Sequence, residues 1–165
     1  MKTSLVKLTP LHNSLKNLEI LLVDWVKASK EAFFIRKAVF IDEQRVPEEL
    51  ELDADDLQAI HVLAKIDGLS VGTARLVAIS KDQAQIGRMA VLDQYRGQGI
   101  GRQILEKLIQ FAQEKDFTGL FLHSQVNAIP FYEKMGFKAD GDIYDEAGIP
   151  HRNMMLVLPK SPNHP

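Results

Sequence analysis

A mixed α/β fold, one sheet with helices packed on its faces, is the architecture this sequence predicts, and three observations predict it. Aliphatic runs of strand length alternate with helical patterns in the order β-α-β-β-β-α-β-α-β-β, which combines hairpins with crossovers. Asp67-Gly68 stands between two such runs as a hairpin signal, so part of the sheet is antiparallel. A glycine-rich segment, Arg96-Gly97-Gln98-Gly99-Ile100-Gly101, joins a strand run to a helical one. The chain's 165 residues, 45% of them hydrophobic, make one domain able to bury about 70% of its unfolded surface.

Each element has its own warrant. Residues 1–17 are polar and mixed, with Pro10 and Asn13, and are expected to extend beyond the domain at 18–158. Residues 18–25 alternate loosely and read as a first strand. Ser29 suits the cap of a helix whose apolar positions Phe33, Phe34, Val39 and Phe40 recur at helical spacing until near Gln44. Residues 48–56 are strongly acidic with little periodicity and read as an exposed loop. Residues 60–66 and 71–79 form the hairpin about Asp67-Gly68, Lys81-Asp82 gives the next turn, and 85–92 the next strand. A helix from Ile100 to about Lys115 turns Ile100, Ile104, Leu105, Leu108, Phe111 and Ala112 inward. Residues 119–122 are continuously apolar, as in a strand covered on both faces. Asn127 is placed to cap a short helix through Met135, with Pro130 in its first turn and Gly136 at its end. Residues 137–144 and 153–158 close the fold as strands around Gly148-Ile149-Pro150, and 159–165 form a mobile tail.

Composition removes several function classes. A net charge of −2 without a basic stripe argues against a nucleic-acid partner. No apolar run reaches the ~18 residues of a membrane span, because Glu19 and Asp24 interrupt the N-terminal candidate. Met1-Lys2-Thr3-Ser4 leads into no signal-peptide core, so a cytoplasmic location is expected. The absence of cysteine excludes disulfides, a thiolate zinc site and an acyl-cysteine intermediate.

The glycine segment carries most of the chemistry. Alternating glycines let the backbone turn sharply and approach a ligand closely. The turn delivers a helix N-terminus, where unpaired N–H groups and roughly half a positive charge face outward. Strand, glycine turn and helix together hold a phosphate or diphosphate, and Arg96 adds a planar cationic fork. A dinucleotide fingerprint would need G-x-G-x-x-G and an acid about 20 residues later, whereas Glu106 and Glu114 lie on the helix itself. A P-loop would need Lys-Ser/Thr where this chain has Arg102-Gln103. The ordinary alternative is an Arg-Gly turn that starts a helix and binds nothing.

The R-x-x-G-x-G pattern resembles the pyrophosphate loop of the GNAT superfamily of acyl-CoA-dependent N-acetyltransferases. Ala128-Ile129-Pro130-Phe131-Tyr132-Glu133-Lys134-Met135-Gly136-Phe137 resembles that superfamily's A-x-x-x-Y-x-x-x-G-F segment, in the expected order along the chain. Val39-Phe40-Ile41-Asp42-Glu43-Gln44, His61 and Gly148-Ile149-Pro150-His151 are similar to the ElaA-type branch. The resemblance implies a fold of about seven strands and four helices, acetyl-CoA as co-substrate without a metal, and an amine of a small molecule or peptide as acceptor. It also admits a homodimer. The backbone of Met89, Ala90 and Val91 would meet the pantetheine arm, and Gln98 to Arg102 would offer N–H groups to the diphosphate. Gly97, Gly99, Ile100 and Gly101 complete that loop, with Phe131, Gln125 and Asn127 flanking the cofactor. Tyr132 falls where a phenol would hydrogen-bond or protonate the departing thiolate. Its ordinary role would be a half-buried helix aromatic.

Two positions depart from the family pattern. Gln85 stands where many members carry a glutamate base, and an amide takes no proton. Gln125 stands where asparagine is frequent, with Asn127 displaced, which leaves open the amide that meets the cofactor. A base matters because an amine of pKa about 10.4 is neutral in only ~0.04% of molecules at pH 7. Glu43, His61, His123 and His151 are the candidates, and Glu43 with His151 lie nearest the expected acceptor mouth. No pair among them has the spacing of a zinc helix. The run Glu48, Glu49, Glu51, Asp53, Asp55 and Asp56 either steers a cationic amine or is a solvated loop, the commoner case. Arg75 and Arg88, on strand patterns, need partners or a cleft and could meet an acidic substrate group. A non-catalytic acyl-CoA sensor is the rival reading, sustained by Gln85 and opposed by Tyr132.

Overall fold

A computed structural model describes residues 17–160. The expected N-terminal extension and tail therefore lie outside the described residues, apart from Asn17, Pro159 and Lys160. Seven strands form one sheet: β1 (Leu18–Val23), β2 (Ile60–Ile66), β3 (Leu69–Ala78), β4 (Gln83–Val91), β5 (Gly119–Gln125), β6 (Lys138–Glu146) and β7 (Ile149–Val157). Their order is β1-β2-β3-β4-β5-β7-β6, and β4 with β5 is the parallel pair in an otherwise antiparallel sheet. Four α-helices complete it: α1 (Trp25–Arg36), α2 (Glu48–Glu51), α3 (Ile100–Glu114) and α4 (Ile129–Glu133).

Helix α3 is the core's main contributor. Ile100, Ile104, Leu105, Leu108 and Ala112 lie on one stripe and are buried against Val62, Leu76, Ile86, Leu120 and Leu122 of the sheet. The expected sixth member, Phe111, stays half-buried with the Lys115 ammonium 5.8 Å above its ring. Gly72 on β3 permits this close packing, since a Cβ there would stand 2.8 Å from Ile104 Cδ1.

On the opposite face α1 packs its small residues Ala28 and Ala32, with Ile35, against the sheet. It begins at Trp25, four residues before the expected Ser29, because Asp24 Oδ1 accepts the Lys27 N–H at 3.0 Å. After Arg36 the helix widens into a π-helix, Lys37–Glu43, closed by a bond from Gln44 N–H to Val39 O at 3.1 Å. The closing strands are also longer than expected. A two-residue turn at Ala147 and Gly148, both with positive φ (54° and 78°), carries β6 directly into β7.

The acidic segment is the main correction to the sequence reading. Glu51 and Asp56 are 3% and 2% exposed, and the segment folds as α2 and a 3-10 turn, Ala54–Leu57. Arg36, itself 1% exposed, bonds Glu51 Oε1 at 2.6 Å and Asp56 Oδ1 at 2.8 Å. Arg75 bonds Asp53 Oδ1 at 2.6 Å and Asp56 Oδ1 at 2.8 Å, and Arg88 bonds Asp53 Oδ2 at 3.1 Å. Arg36, Arg75 and Arg88 thus balance Glu51, Asp53 and Asp56. Removing so many charges from water is tolerable only with matched partners. Glu51 and Asp56 are therefore not part of a solvated loop, whereas Asp53 and Asp55 stay exposed at 36% and 58% of their side chains, and Arg75 and Arg88 find partners within the protein. Glu48 and Glu49 remain exposed.

Candidate active site

The site begins where the sheet splits. Strands β4 and β5 pair in parallel from Gln83↔Gly119 to Ile86↔Leu122 and then separate, while β5 continues against β7 to Gln125↔His151. A β-bulge accompanies the separation: Ala74 on β3 opposes both Arg88 and Met89 on β4. Arg88 takes the left-handed conformation, φ 53°, which costs a non-glycine residue about 1 kcal/mol. Its guanidinium is held there by the Leu50 and Glu51 carbonyls at 3.2 and 3.1 Å, so the ion network anchors the bulge. Residues 87–91 consequently turn one backbone edge away from any ladder partner, as an extended amide ligand requires.

The glycine loop closes the end of this split. Gly97 and Gly99 have φ of 74° and 79°, and a Cβ at either would point into open space. The first helical bond of α3 runs from Gln103 N–H to Gly99 O at 3.2 Å, so the N–H groups of Ile100, Gly101 and Arg102 precede it and have no intrahelical partner. A cavity of about 640 Å³ runs past them. Its walls hold Met89, Ala90, Val91, Arg96, Gly97, Gly99, Ile100, Gly101, Arg102, Phe131 and Tyr132, which the sequence assigned to this site. Tyr95, Ala128, Lys134 and Met135 join them without having been singled out. Size, open edge and N–H donors fit a diphosphate joined to a pantetheine-like arm.

Gln98 and Asn127 are exposed and outside these walls. Asn127 caps nothing: α4 starts after Ala128 with no side-chain cap, led in by a 3-10 turn at Val126–Ala128. Gln85 lies in the paired part of β4 opposite Phe121, below the split.

Glu43 and Arg96, expected to serve separate ends of the site, hold each other. Arg96 Nη1 and Nη2 bond both Glu43 oxygens at 2.7 and 2.8 Å, and Arg96 Nε donates to the Val91 carbonyl at 2.9 Å. The Arg96 hydrogen bonds hold the Glu43 carboxyl below its usual range, which weakens it as a base. The next residue, Gln44, receives the Gln125 side-chain amide at 2.7 Å. Two consecutive residues at the end of the π-helix thus tie the loop after β4 to the end of β5, across the split. Beyond its place in the stretch 39–44, Gln44 gave no sign of this tether in the sequence, since its partner lies far along the chain.

Tyr132 projects from α4 and is half-buried, with its hydroxyl donating to Met89 Sδ at 3.6 Å. A thioether is a weak acceptor. Burial pushes the phenol pKa up to about 12, so it keeps its proton throughout the neutral range. The histidines separate by role. His61 is a core residue, 1% exposed, with Nε2 bonded to the Asp56 carbonyl at 2.9 Å and its ring 4.9 Å from Trp25. Burial lowers its pKa. His123 and His151 lie on the sheet face shared with Gln125 and converge on Glu146, at 3.0 and 3.4 Å. The tight turn at Gly148 fixes the register that brings Glu146 and His151 together, a signal that was present in the sequence.

Residues 26–158 match the family profile described as "Acetyltransferase (GNAT) domain". The chain is 33% identical over 127 residues to the Bacillus subtilis protein named "Uncharacterized N-acetyltransferase YjcF", covering 76% of this chain and 90% of that one. It is 31% identical to Escherichia coli ElaA over 73% of this chain and 81% of that one. The crystal structure of ElaA superposes with a TM-score of 0.76, over 84% of this chain and 98% of that one. An acyl-CoA N-acyltransferase from Pseudomonas aeruginosa, 30% identical, also superposes at 0.76, over 84% of this chain and 99% of that one. The chain belongs to the GNAT acetyltransferase family, in its ElaA-like branch, and with that family to the acyltransferases that draw on acetyl-CoA.

Proposed function

We propose that this protein is an N-acetyltransferase that moves an acetyl group from acetyl-CoA to the primary amine of a small molecule or peptide by direct attack. The observation that carries the reading is the single cavity joining the open edge of β4, the α3 N-terminus and the Tyr132 hydroxyl. The N–H groups of Ile100, Gly101 and Arg102 would face the diphosphate, and the backbone of Met89 and Ala90 the pantetheine amides. Tyr132 would exchange its weak bond to Met89 for one to the thioester sulfur. As the amine nitrogen bonds the carbonyl carbon and the C–S bond breaks, Tyr132 stabilises the negative sulfur as a hydrogen-bond and proton donor. His151 takes one proton of the ammonium, and the second, shed by the nitrogen once it is acylated, replaces the one that Tyr132 gives the sulfur. Glu43, already bonded to Arg96, positions the loop and is the weaker base. With no cysteine in the sequence, direct transfer in a ternary complex is the simpler route. A cytoplasmic homodimer completes the proposal, to be checked by fractionation and light scattering.

Calorimetric melting and thiol release test this together. Acetyl-CoA at a hundredfold excess over Kd should stabilise the fold by about 2.7 kcal/mol. Free thiol should then appear with at least one member of an amine panel. Stabilisation by NAD or ATP and by no CoA ester overturns the reading. Stabilisation without thiol release on any amine converts it to a sensor.

A further inference from the structure

Glu146 stands between two imidazoles on the acceptor side of the split. Its Oε1 accepts from His123 Nδ1 at 3.0 Å, and its Oε2 lies 3.4 Å from His151 Nε2. His151 Nδ1 lies 2.7 Å from the Ile149 carbonyl. A carbonyl only accepts, so Nδ1 carries the ring proton and the neutral ring presents a lone pair at Nε2. A carboxylate oxygen of Glu146 lies 3.4 Å from that nitrogen, and the ring is only 7% exposed. A donor set between them would meet a demand on both sides. A proton satisfies it by making imidazolium, and so does the N–H of an arriving ammonium.

The surroundings suit a cation. The Tyr144 ring stacks on His151 with centroids 6.2 Å apart and meets His123 edge-on at 5.9 Å. Its hydroxyl donates to Asn153 Oδ1 at 2.6 Å, which fixes the ring as a wall. Glu146 is about half-exposed, so a ligand reaches it from solvent. Gln125, paired with His151 in register, bonds Gln44 beside the Arg96–Glu43 pair, and Arg96 lines the cavity. The cluster therefore sits one strand from the split. Among the described residues no group of three or more His, Asp or Glu is arranged to hold a metal ion.

We propose that Glu146 and Tyr144 form the seat for the acceptor's ammonium and that Glu146 is the positioning residue for His151. This rests on the acetyltransferase reading and names its acceptor subsite. One ammonium N–H bonds Glu146 Oε2 and another points at His151 Nε2. That second proton passes to Nε2, leaving a neutral amine whose lone pair attacks and an imidazolium paired with Glu146. Charge and protons balance without a further reactant. The groups facing His151 are Glu146 and Tyr144 from β6, His123 from β5 through Glu146, and the uncharged amide of Gln125. Asp145 turns to the Gly148 N–H at 3.1 Å and Arg152 to the Gly141 carbonyl at 2.8 Å.

The test is Glu146→Gln, an isosteric change at a half-exposed position. The KM for the amine should rise about tenfold while the Kd for acetyl-CoA stays within about twofold. Butylammonium chloride should shift the His151 ring resonances in wild type and far less in Glu146→Gln, a readout independent of turnover. His123→Gln, which keeps Glu146, should raise the amine KM less. An unchanged amine KM in Glu146→Gln overturns the proposal. If the wild type releases thiol with no amine, the acetyltransferase reading fails separately. Butylammonium chloride then decides the seat: a His151 shift in wild type but not in Glu146→Gln supports it, and no shift in either overturns it.

Discussion

Tyr132 points its hydroxyl at a sulfur already, that of Met89 at 3.6 Å, and burial holds the phenol's pKa near about 12. A group that keeps its proton so firmly is suited to hydrogen-bonding a sulfur that gains charge, because the bond strengthens as the charge develops. Tyr132→Phe keeps the ring packed on Phe131 and Phe137, whose centroids lie 5.0 and 6.0 Å away, and removes the donor alone. We expect kcat to fall about 10²-fold, the lower end for a general acid, with the Kd for acetyl-CoA within about twofold. Steady-state thiol release with calorimetry checks both, and unchanged kcat removes Tyr132 from the chemistry. Glu43 teaches the converse. A carboxylate at the acceptor mouth reads as a base until its neighbour is known, and the bidentate Arg96 pair makes it a tether instead.

At the scale of elements, local patterns were readable and distant pairings were not. The stripe of α3, the Asp67-Gly68 hairpin and the glycine loop depend on neighbours within a few residues, and each stands where the pattern put it. The acidic segment was misread because its cations, Arg36, Arg75 and Arg88, lie 15 to 38 residues away from the groups they bond. The π-helix has no periodic signature over seven residues, yet it aims Glu43 and Gln44 at opposite arms of the split. Asp24 caps the helix ahead of Ser29, and its signal was masked because Trp25 and Val26 suit a strand as well as a helix start. The element whose reading bears most on function is the start of α3. A Cβ at Gly99 meets no protein atom within 4 Å, so a side chain there would stand in open space at the cavity wall. Gly99→Ala should cost about 1 kcal/mol from its positive φ and weaken acetyl-CoA severalfold. Gly99→Asp should abolish binding, since it also puts a negative charge against the diphosphate; retained affinity by calorimetry would mean the loop holds something else.

Across the whole molecule, the buried ion network joins the site to the fold. Arg36 comes from α1, Glu51 from α2, Asp53 and Asp56 from the following turn, Arg75 from β3 and Arg88 from the bulge of β4. Asp56 is the hub, bonded to both Arg36 and Arg75. Burial pushes its carboxyl up, but the two guanidinium groups outweigh burial and hold it below its usual value. Asp53 is lowered mainly by its hydrogen bonds to Arg75, whereas burial raises Glu51. A carboxyl whose folded pKa lies below its unfolded value contributes stability that is present above about pH 3.9 and is lost as pH falls through the folded value. Asp53 and Asp56 therefore favour the fold at neutral pH and release it on acidification, while Glu51 works in the opposite direction. Asp56→Asn strands one of two buried guanidinium groups without a full counter-charge, so it should cost about 3–5 kcal/mol at pH 7. It should also flatten the loss of stability between about pH 5 and 3, since the variant has no proton to take up there. Urea unfolding across that range measures both effects. The bulge supplies an independent readout, because Arg88 and the neighbouring Met89 are held through the same network. A folded Asp56→Asn protein should show a raised KM for acetyl-CoA at 25 °C; full stability with the wild-type pH slope would show that the network carries no such load.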